Sequence, residues 1–264
     1  MTARRTNAPG LFERLLPTLV IVAFIIGWEL FVRWRGIAPI FLPPPSQIAK
    51  YFMRMVMDGS LGLNLGATLL RIFVGFAVAA VAGVALGVLM GMSRIVARVA
   101  DPWIAALYPL PKIALIPLLV IWLGTGEAYK ILISAITAFF PIVISSYAGI
   151  RQADRGLMKA AEDLGANRRQ IQMKVVIPSA IPSIFAGLHL GMGVTIILVV
   201  AAEMIGGAGH LGMGNLLITA GQVMETEKVF ASLVVLAVVG AVVIKSQQWI
   251  DRKVAPWMTS RDEH

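Results

Sequence analysis

Cysteine is absent from this chain of 264 residues, and charged residues make up only 14% of it. The lack of cysteine excludes disulfides, thiol catalysis and metal sites built on thiolates. Soluble domains carry roughly a quarter charged residues, so this chain could not cover itself with polar groups in water. Hydrophobic residues account for 58% of the chain and the mean hydropathy is +0.82, which together indicate an integral membrane protein.

Motifs of common soluble enzymes are also missing. No Gly-Lys pair occurs, so the chain lacks the phosphate-binding loop of ATP-hydrolysing domains. No Gly-x-Ser-x-Gly turn occurs, and the three histidines lie too far apart for a metal site. We therefore expect no catalytic residues, no cofactor-binding residues and no metal ligands. Any ATP and magnesium would be bound by a separate chain.

Long apolar stretches occupy most of the sequence. A helix needs roughly 20 apolar residues to cross a bilayer, and six stretches are of about that length. They cover approximately 16–31, 66–92, 100–123, 131–149, 183–205 and 229–244. These runs do not alternate with polar residues, so they predict helices rather than strands of a barrel. The predicted fold is all-α, with one transmembrane domain over 1–264.

The distribution of positive charge predicts the orientation of the spans. The first stretch has the basic start of a signal peptide, but no Ala-x-Ala-like cleavage site follows Phe31, so we interpret it as a retained anchor. With a cytoplasmic N-terminus, fifteen of the 23 Lys and Arg residues fall on the cytoplasmic side and six on the other. This predicts that the N-terminal segment 1–15 and the tail 251–264 are both cytoplasmic.

Two stretches are predicted to be external loops. The first, 36–64, contains three consecutive prolines, which cannot continue a helix. A short amphipathic helix over 47–57 is predicted to follow them and to lie in the outer interface of the bilayer. The second loop, 206–228, is predicted to be irregular or partly re-entrant because its start is rich in glycine. These glycines are Gly206, Gly207, Gly209, Gly212 and Gly214.

The stretch 150–182 is predicted to be a long and strongly basic cytoplasmic loop. Asp154 can cap a helix that begins at the next residue, and Gly165 offers the left-handed conformation that commonly ends a helix. One face of this predicted helix is apolar. Its members are Leu157, Ala160, Ala161 and Leu164.

A second short helix is predicted after the glycine turn, because Asn167 and Gln170 resemble a capping box. Pro178 and Pro182 are predicted to end that helix and to turn the chain back into the membrane. A rigid helix with small residues at its centre could be gripped by a groove in another protein. The segment 154–178 could equally be an ordinary solvated connector.

One motif in this loop resembles a known family. Its residues are Lys159-Ala160-Ala161-Glu162-Asp163-Leu164-Gly165 and, after nine further residues, Val175-Val176-Ile177-Pro178. It resembles the EAA motif of ABC-importer permeases, which reads Glu-Ala-Ala, three residues, Gly, nine residues and Ile-x-Leu-Pro. The spacing matches throughout. The sequence departs from the family at Lys159, where the motif has glutamate, and mildly at Val175 and Ile177.

Three further segments resemble the branch of that family that imports nitrate, taurine, alkanesulfonates and bicarbonate. They are Leu42-Pro43-Pro44-Pro45-Ser46, Pro117-Leu118 with Trp122-Leu123-Gly124-Thr125-Gly126-Glu127, and Ala202-Glu203-Met204-Ile205-Gly206. The resemblance implies a type I permease of a bacterial inner membrane, with a coupling helix between its fourth and fifth spans. It also implies two ATPase subunits, an extracytoplasmic substrate-binding protein, a second permease copy as a homodimer, and a small anionic solute as cargo.

Polar residues within the apolar stretches are candidates for the translocation path, since they are costly in a bilayer. Lys112 could attract an anionic substrate, or it could snorkel or pair with another residue such as Glu203. His189 could face a cavity or bond across a helix pair. Glu203 could act as a gate or as the partner of a cation.

Other residues in these stretches have simpler interpretations. Gly83, Gly87 and Gly91 form a stripe of small residues that favours close helix packing. Arg71 is predicted to snorkel to the outer surface. An alternative is that Asn64, Thr68 and Arg71 meet a docking protein.

Three other protein classes compete with an importer permease. A secondary transporter driven by an ion gradient predicts inverted repeats and paired acidic residues, and neither is evident. A non-transporting anchor subunit predicts a plain cytoplasmic loop, without the spacing between Gly165 and Pro178. An exporter predicts a fused ATPase domain.

Overall fold

A computed structural model describes residues 11–205 and 210–254, and all regular structure within them is helical. The helices are α1 (Leu11–Arg35), α2 (Pro45–Met57), α3 (Ser60–Met92), α4 (Arg94–Leu107), α5 (Ile116–Leu123), α6 (Glu127–Arg151), α7 (Arg155–Asp163), α8 (Arg168–Ile171), α9 (Ile177–Ile205), α10 (Met213–Gln222) and α11 (Thr226–Val254). The 3₁₀ turn Lys112–Leu115 precedes α5, and the π turn Gln172–Val176 joins α8 to α9. Most of the predicted terminal segments 1–15 and 251–264 lies outside the described residues.

Five continuous helical stretches are long and apolar enough to cross a membrane. They are Leu15–Arg35, Ser60–Met92, Glu127–Arg151, Arg168–Ile205 and Thr226–Lys253. Two shorter pieces, Arg94–Leu107 and Lys112–Leu123, meet at an angle of 89° and make a sixth crossing if the pair is counted as one span. The predicted all-helical fold with up to six spans is therefore confirmed.

A single third span was predicted over 100–123, whereas the structure has two helices with a break between them. The helix begins earlier, at Arg94, and breaks after Leu107. Pro109 and Pro111 lie in the break and Pro117 opens the next helix, and none of the three has an N–H to continue a helical ladder. The sequence therefore marks the position of the break, although not its angle.

Both pieces contact α6. Ile104 of α4 packs in one cluster with Phe140, near the middle of α6. Ile116 of α5 packs with Tyr129 and Ile133, in the first turns of α6. The break therefore lies beside the middle of α6.

Helices α3 and α6 pack closely along the predicted glycine stripe. A Cβ atom on Gly83 would lie 2.9 Å from Cγ2 of Ile142, and one on Gly87 would lie 2.6 Å from Cβ of Ser146. Gly91 continues the line against Ile150. The predicted packing role of the stripe is confirmed, because any side chain there would push the two helices apart.

Helices α2 and α10 fill the end of the bundle where α3 and α11 begin. Helix α2 starts two residues before the predicted 47–57, at Pro45, since proline is well accepted in a first helical turn. Its buried side chains Ile48 and Met55 pack against Ala231 of α11. Helix α3 begins at Ser60, inside the stretch 36–64 that was predicted to be a loop.

The stretch 206–228, predicted to be irregular or partly re-entrant, contains a regular helix. Residues Met213–Gln222 form the helix α10, and Met213, Asn215 and Leu217 are among its buried residues. Its start is held by polar side chains of α3 and α9, which are distant from it in the chain. The glycines Gly206, Gly207 and Gly209 lie outside the described residues.

Candidate coupling loop, buried ion-pair cluster and membrane cavity

Helix α7 is capped at its start in the way the sequence predicts. Oδ1 of Asp154 accepts hydrogen bonds from the backbone N–H groups of Gly156 at 2.6 Å and Leu157 at 3.4 Å. Two N–H groups that have no partner inside the helix are thereby satisfied. The cap therefore stabilises the first turn of this short helix.

The end of α7 is set by Gly165. Its φ is +84°, a conformation that side chains with a Cβ rarely adopt. The N–H of Gly165 donates to the carbonyl of Glu162 at 2.8 Å, and that of Ala166 donates to Ala161 at 3.0 Å. These bonds close the last turn as a glycine-terminated helix end. The chain then reverses sharply into α8.

Helix α8 begins with the predicted capping box. The N–H of Gln170 donates to Oδ1 of Asn167 at 2.9 Å, and Oε1 of Gln170 accepts from the N–H of Asn167 at 2.8 Å. The prediction that Pro178 and Pro182 end this helix is wrong, because the helical chain runs on to Ile205. The π turn just before Pro178 widens the helix where the proline ring would otherwise clash with the preceding turn.

The apolar face of α7 is turned away from this chain. Leu157 is 57% exposed and Leu164 is 89% exposed, and Ala160 is exposed between them. Met158, on the other side of the helix, packs against the buried cluster that contains Ile150. The motif residues Lys159, Glu162 and Asp163 are also exposed. A capped helix with an uncovered apolar face is a suitable element for another protein to grip.

A buried polar cluster joins α3, α6, α9 and the start of α10. Arg71 is at its centre and is only 1% exposed. Its Nε and Nη2 donate to the two carboxylate oxygens of Glu127, at 2.5 and 2.6 Å. Its Nη1 donates to Glu203 and, at 2.8 Å, to the carbonyl of Leu211. One guanidinium thus links three helices and the segment before α10.

The remaining polar groups of the cluster fix the start of α10. Oγ1 of Thr68 lies 2.9 Å from both carboxylate oxygens of Glu203 and accepts from the N–H of Met213 at 2.9 Å. The N–H of Gly214 donates to Glu203 at 2.9 Å. Oδ1 of Asn64 accepts from the N–H of Gly212 at 2.8 Å. Side chains on α3 and α9 therefore supply the acceptors for the first N–H groups of α10.

This geometry corrects two expectations from the sequence. Arg71 does not snorkel to the outer surface, because its side chain is buried and its charge is paired with the half-exposed Glu127 and the buried Glu203. Asn64 and Thr68 are buried, so they do not present a surface to a docking protein. Lys130 of α6 is also buried next to this cluster, with its Nζ 3.6 Å from Glu127.

Lys112 lies at the break of the third span and not beside Glu203. Its Nζ donates to the carbonyl of Tyr108, and it sits 5.1 Å from the ring centre of Tyr108 and 4.9 Å from that of Phe140. The expected pairing of Lys112 with Glu203 is wrong, because the carboxylate of Glu203 is taken by Arg71.

Lys112 also lines a cavity of about 420 Å³ between α3, the broken span and α6. All the other lining residues are apolar. They are Val78, Ala79, Ala82, Leu107, Leu110, Leu115, Ala135, Ile136, Phe139 and Phe140.

His189 bridges α9 and α11. Its Nε2 lies 2.6 Å from Oδ2 of Asp251, although the angles depart from those of a hydrogen bond. His189 was expected either to face a cavity or to bond across a helix pair, and its contact with α11 corresponds to the second of these. Among residues 11–205 and 210–254, no group of three or more acidic or histidine side chains is arranged to hold a metal ion.

A comparison with known families identifies the chain. Residues 83–256 match the family described as binding-protein-dependent transport system inner membrane component. This range contains the broken span, the loop 154–178 and the last two spans.

Individual relatives align over nearly the whole chain. The taurine transport system permease protein TauC of Escherichia coli (strain K12) is 35% identical over 90% of this chain and 87% of its own length. A putative aliphatic sulfonates transport permease protein of Bacillus subtilis (strain 168) is 32% identical over 95% and 89%. The nitrate import permease protein NrtB of a Synechocystis strain is 28% identical over 91% and 89%.

A solved structure has the same fold. A chain of the MetNI methionine ABC transporter, in an inward-facing conformation, superposes with a TM-score of 0.56 at 22% identity. The match covers 72% of this chain and 94% of that one. The family match, the relatives and this fold agree, and the chain therefore belongs to the binding-protein-dependent transport system inner membrane components, the permeases of ABC transporters.

Proposed function

We propose that this chain is the membrane-spanning subunit of an ATP-driven importer for a small anion of the sulfonate or nitrate class. Two copies would form the path, two separate ATPase subunits would supply the energy, and an external binding protein would deliver the solute. The named cargoes of the relatives, taurine, aliphatic sulfonates and nitrate, support this class of substrate. The charge distribution supports a bacterial inner-membrane orientation with cytoplasmic termini.

The uncovered apolar face of α7 is the observation that carries this proposal. Leu157 and Leu164 would be unfavourable in water, and the caps at Asp154 and Gly165 hold the helix in place to present them. An ATPase groove that covers this face would hold α7 as a rigid helix. Helix α7 is followed by the continuous helix that begins after Asn167 and includes α9, so movement of α7 is transmitted into the membrane.

Within this scheme the chain hydrolyses no ATP itself. Gly165, with Pro178 thirteen residues later, keeps the spacing of the motif, whose side chains differ at Lys159 and mildly at Val175 and Ile177. The residues from Lys159 to Gly165 are proposed to touch the ATPase. The side chains of Lys112, His189 and Glu203 are proposed to act in or beside the path rather than at a catalytic centre.

The experiment is ATP-dependent uptake in proteoliposomes, after isolation of the chain with the ATPase that accompanies it. Gly165→Pro should abolish coupled uptake, because proline fits neither a φ of +84° nor the N–H bond to Glu162. Gly36→Pro is the matched control. Gly36 also has a positive φ of +61° and a bonded N–H, but it follows α1 at the opposite end of the bundle. The control should retain at least about half of the uptake, since nothing surrounds that position.

Two experimental outcomes would favour a different function for the chain. Uptake that follows an imposed ion gradient and ignores ATP would indicate a secondary transporter. A stable complex with an ATPase that transports nothing, in either variant or the wild type, would indicate an anchor subunit. Uptake by Gly165→Pro equal to that of the Gly36→Pro control would mean that 154–178 is not the transmission element.

A further inference from the structure

The cavity beside Lys112 has the composition of a binding site for an amphipathic molecule. Its volume of about 420 Å³ lies within the range of small-molecule pockets, and its walls are aliphatic and aromatic side chains. Lys112 is the single charged residue among its lining residues. Such a site offers one positive charge and a large apolar surface.

The charge of Lys112 has no carboxylate partner. Among the residues that the structure describes, none places a carboxylate oxygen within 4.0 Å of its Nζ. The ammonium group carries three N–H donors, and the carbonyl of Tyr108 accepts only one of them. By contrast, Arg71 has two carboxylate partners. Lys112 is therefore the cation in this part of the bundle that still lacks a counter-anion.

The counter-anion of Lys112 could be a lipid headgroup or the transported solute, and the position of Lys112 distinguishes between them. Phe140, whose ring faces the ammonium, lies close to the middle of the 25-residue helix α6. Lipid headgroups lie about 15 Å from the centre of a bilayer, since the hydrocarbon core is about 30 Å thick. A phosphate headgroup would have to leave its interface to reach Lys112, whereas a solute in transit passes this depth. The depth favours the transported solute.

The apolar walls restrict the kind of anion. Nitrate and a sulfonate group each carry one negative charge on three oxygens, so contact with Lys112, the one polar lining residue, does not distinguish them. An organic anion could direct its charged end at Lys112 and bury its hydrocarbon part against residues such as Val78 and Phe139. Burial of each methylene would add to the affinity.

We propose that this cavity binds the cargo in transit, and that it selects organic anions with an apolar portion, such as alkanesulfonates, over small inorganic anions. This inference rests on the proposed function, because it assigns a substrate class to the path of the same permease. Lys112 binds the anionic group, and the walls from α3, the broken span and α6 bind the hydrocarbon part.

Direct binding of radiolabelled hexanesulfonate tests the site. The full chain, in complex with its ATPase, is placed in nanodiscs of phosphatidylcholine, and methanesulfonate, butanesulfonate and nitrate are used as competitors. We expect hexanesulfonate to bind most tightly, with up to about a four-fold gain per methylene, and nitrate to compete least. Lys112→Gln should weaken hexanesulfonate binding about ten-fold or more, and Lys112→Arg should restore most of it. Lys245→Gln, a substitution outside the cavity, should leave binding unchanged.

A second variant tests the walls without touching the charge. Ala82 lines the cavity and is exposed, so Ala82→Phe fills the space without disturbing a packed core. In this variant the affinity should no longer depend on the length of the alkyl chain, and hexanesulfonate should bind about as weakly as methanesulfonate. Equal binding of nitrate and hexanesulfonate by the wild type would overturn the proposed selectivity. Unchanged binding in Lys112→Gln would overturn the role of the lysine.

The lipid source and the proposed function are tested separately. Nanodiscs that contain phosphatidylglycerol should leave hexanesulfonate binding unchanged. If that lipid displaces hexanesulfonate from the wild type, the occupant is a lipid and the inference fails. ATP-dependent sulfonate uptake is measured in parallel. Uptake by the wild type together with unaltered binding in Lys112→Gln defeats only this inference, whereas absence of uptake in the wild type defeats the proposed function itself.

Discussion

Arg71 of α3 and Glu203 of α9 form an ion pair that is almost completely removed from solvent inside a membrane-spanning bundle. The two residues are 132 positions apart in the chain. Glu203 also accepts from Thr68 and from the N–H of Gly214, and Arg71 also donates to Glu127. Each charge is therefore surrounded by polar partners, as a buried charge needs to be.

Removal of Arg71 alone should be far more damaging than removal of both partners. Arg71→Met leaves the carboxylate of Glu203 buried without its counter-charge, which costs about 3–5 kcal/mol of stability. The double substitution Arg71→Met with Glu203→Leu removes both charges and should recover a large part of that loss. Midpoint temperatures of unfolding in detergent, measured for the two single variants and the double variant, check this cycle.

An exposed ion pair serves as the control for that cycle. Lys228 lies 3.2 Å from Glu225 at the start of α11, and both side chains reach solvent. Lys228→Met should cost less than about 1 kcal/mol. If Arg71→Met is no worse than Lys228→Met, the buried cluster does not stabilise the bundle.

Gly212 should tolerate no side chain, because it lies directly against this ion pair. A Cβ there would be 2.6 Å from Nη1 of Arg71 and 2.6 Å from Cδ of Glu203, and its φ is +141°. Gly36→Ala provides the comparison, since Gly36 has a positive φ of +61° with open space around it. Both variants incur backbone strain, but Gly212→Ala adds a steric clash of about 1–3 kcal/mol. The thermal midpoint should fall clearly further for Gly212→Ala, and equal losses would rule out the clash.

Local signals in the sequence predicted the backbone geometry of the loop 154–178 well. The cap at Asp154, the left-handed Gly165 and the capping box of Asn167 and Gln170 each depend on residues no more than a few positions apart. The glycine stripe on α3 was equally readable, since its spacing defines one face of a helix. These features needed no knowledge of the tertiary arrangement.

Features that depend on distant residues were not predictable. Arg71, Lys112 and Glu203 were all recognisable as charges within apolar stretches, but the sequence could not say which cation approaches Glu203. The three-dimensional arrangement assigns Arg71 to it and leaves Lys112 at the cavity. The sequence did indicate that Glu203 has a cationic partner, because an acidic residue in an apolar stretch requires a cation from another span. It did not indicate which cation. The angle of 89° in the third span was similarly beyond what its prolines could predict.

Two glycines of α3 should respond to alanine in opposite directions. At Gly87 a Cβ would lie 2.6 Å from Cβ of Ser146 and 2.6 Å from the carbonyl oxygen of Val143, so Gly87→Ala forces α3 away from α6. At Gly66, on the same helix, nothing lies within 4 Å. Gly66→Ala should stabilise by up to about 1 kcal/mol through helix propensity. Gly87→Ala should destabilise by about 1–3 kcal/mol in spite of the same propensity gain. The midpoint temperature of unfolding should rise for Gly66→Ala and fall for Gly87→Ala. Stabilisation by both variants would contradict close packing of α3 on α6.

Exposed leucines on α7 should matter for assembly and not for folding. Leu157 and Leu164 are 57% and 89% exposed, so Leu157→Ser with Leu164→Ser leaves the core of the isolated permease intact. If an ATPase groove covers this face, each serine removes up to about 2 kcal/mol of apolar burial from the interface. The double variant should therefore co-purify with at least about ten-fold less ATPase, while its own midpoint temperature changes little. Leu63→Ser is the control, because Leu63 is 63% exposed in the first turn of α3, at the opposite end of the bundle from α7. Equal recovery of ATPase with the α7 variant and the Leu63 control would show that the apolar face of α7 is not the contact, whatever the remainder of 154–178 does.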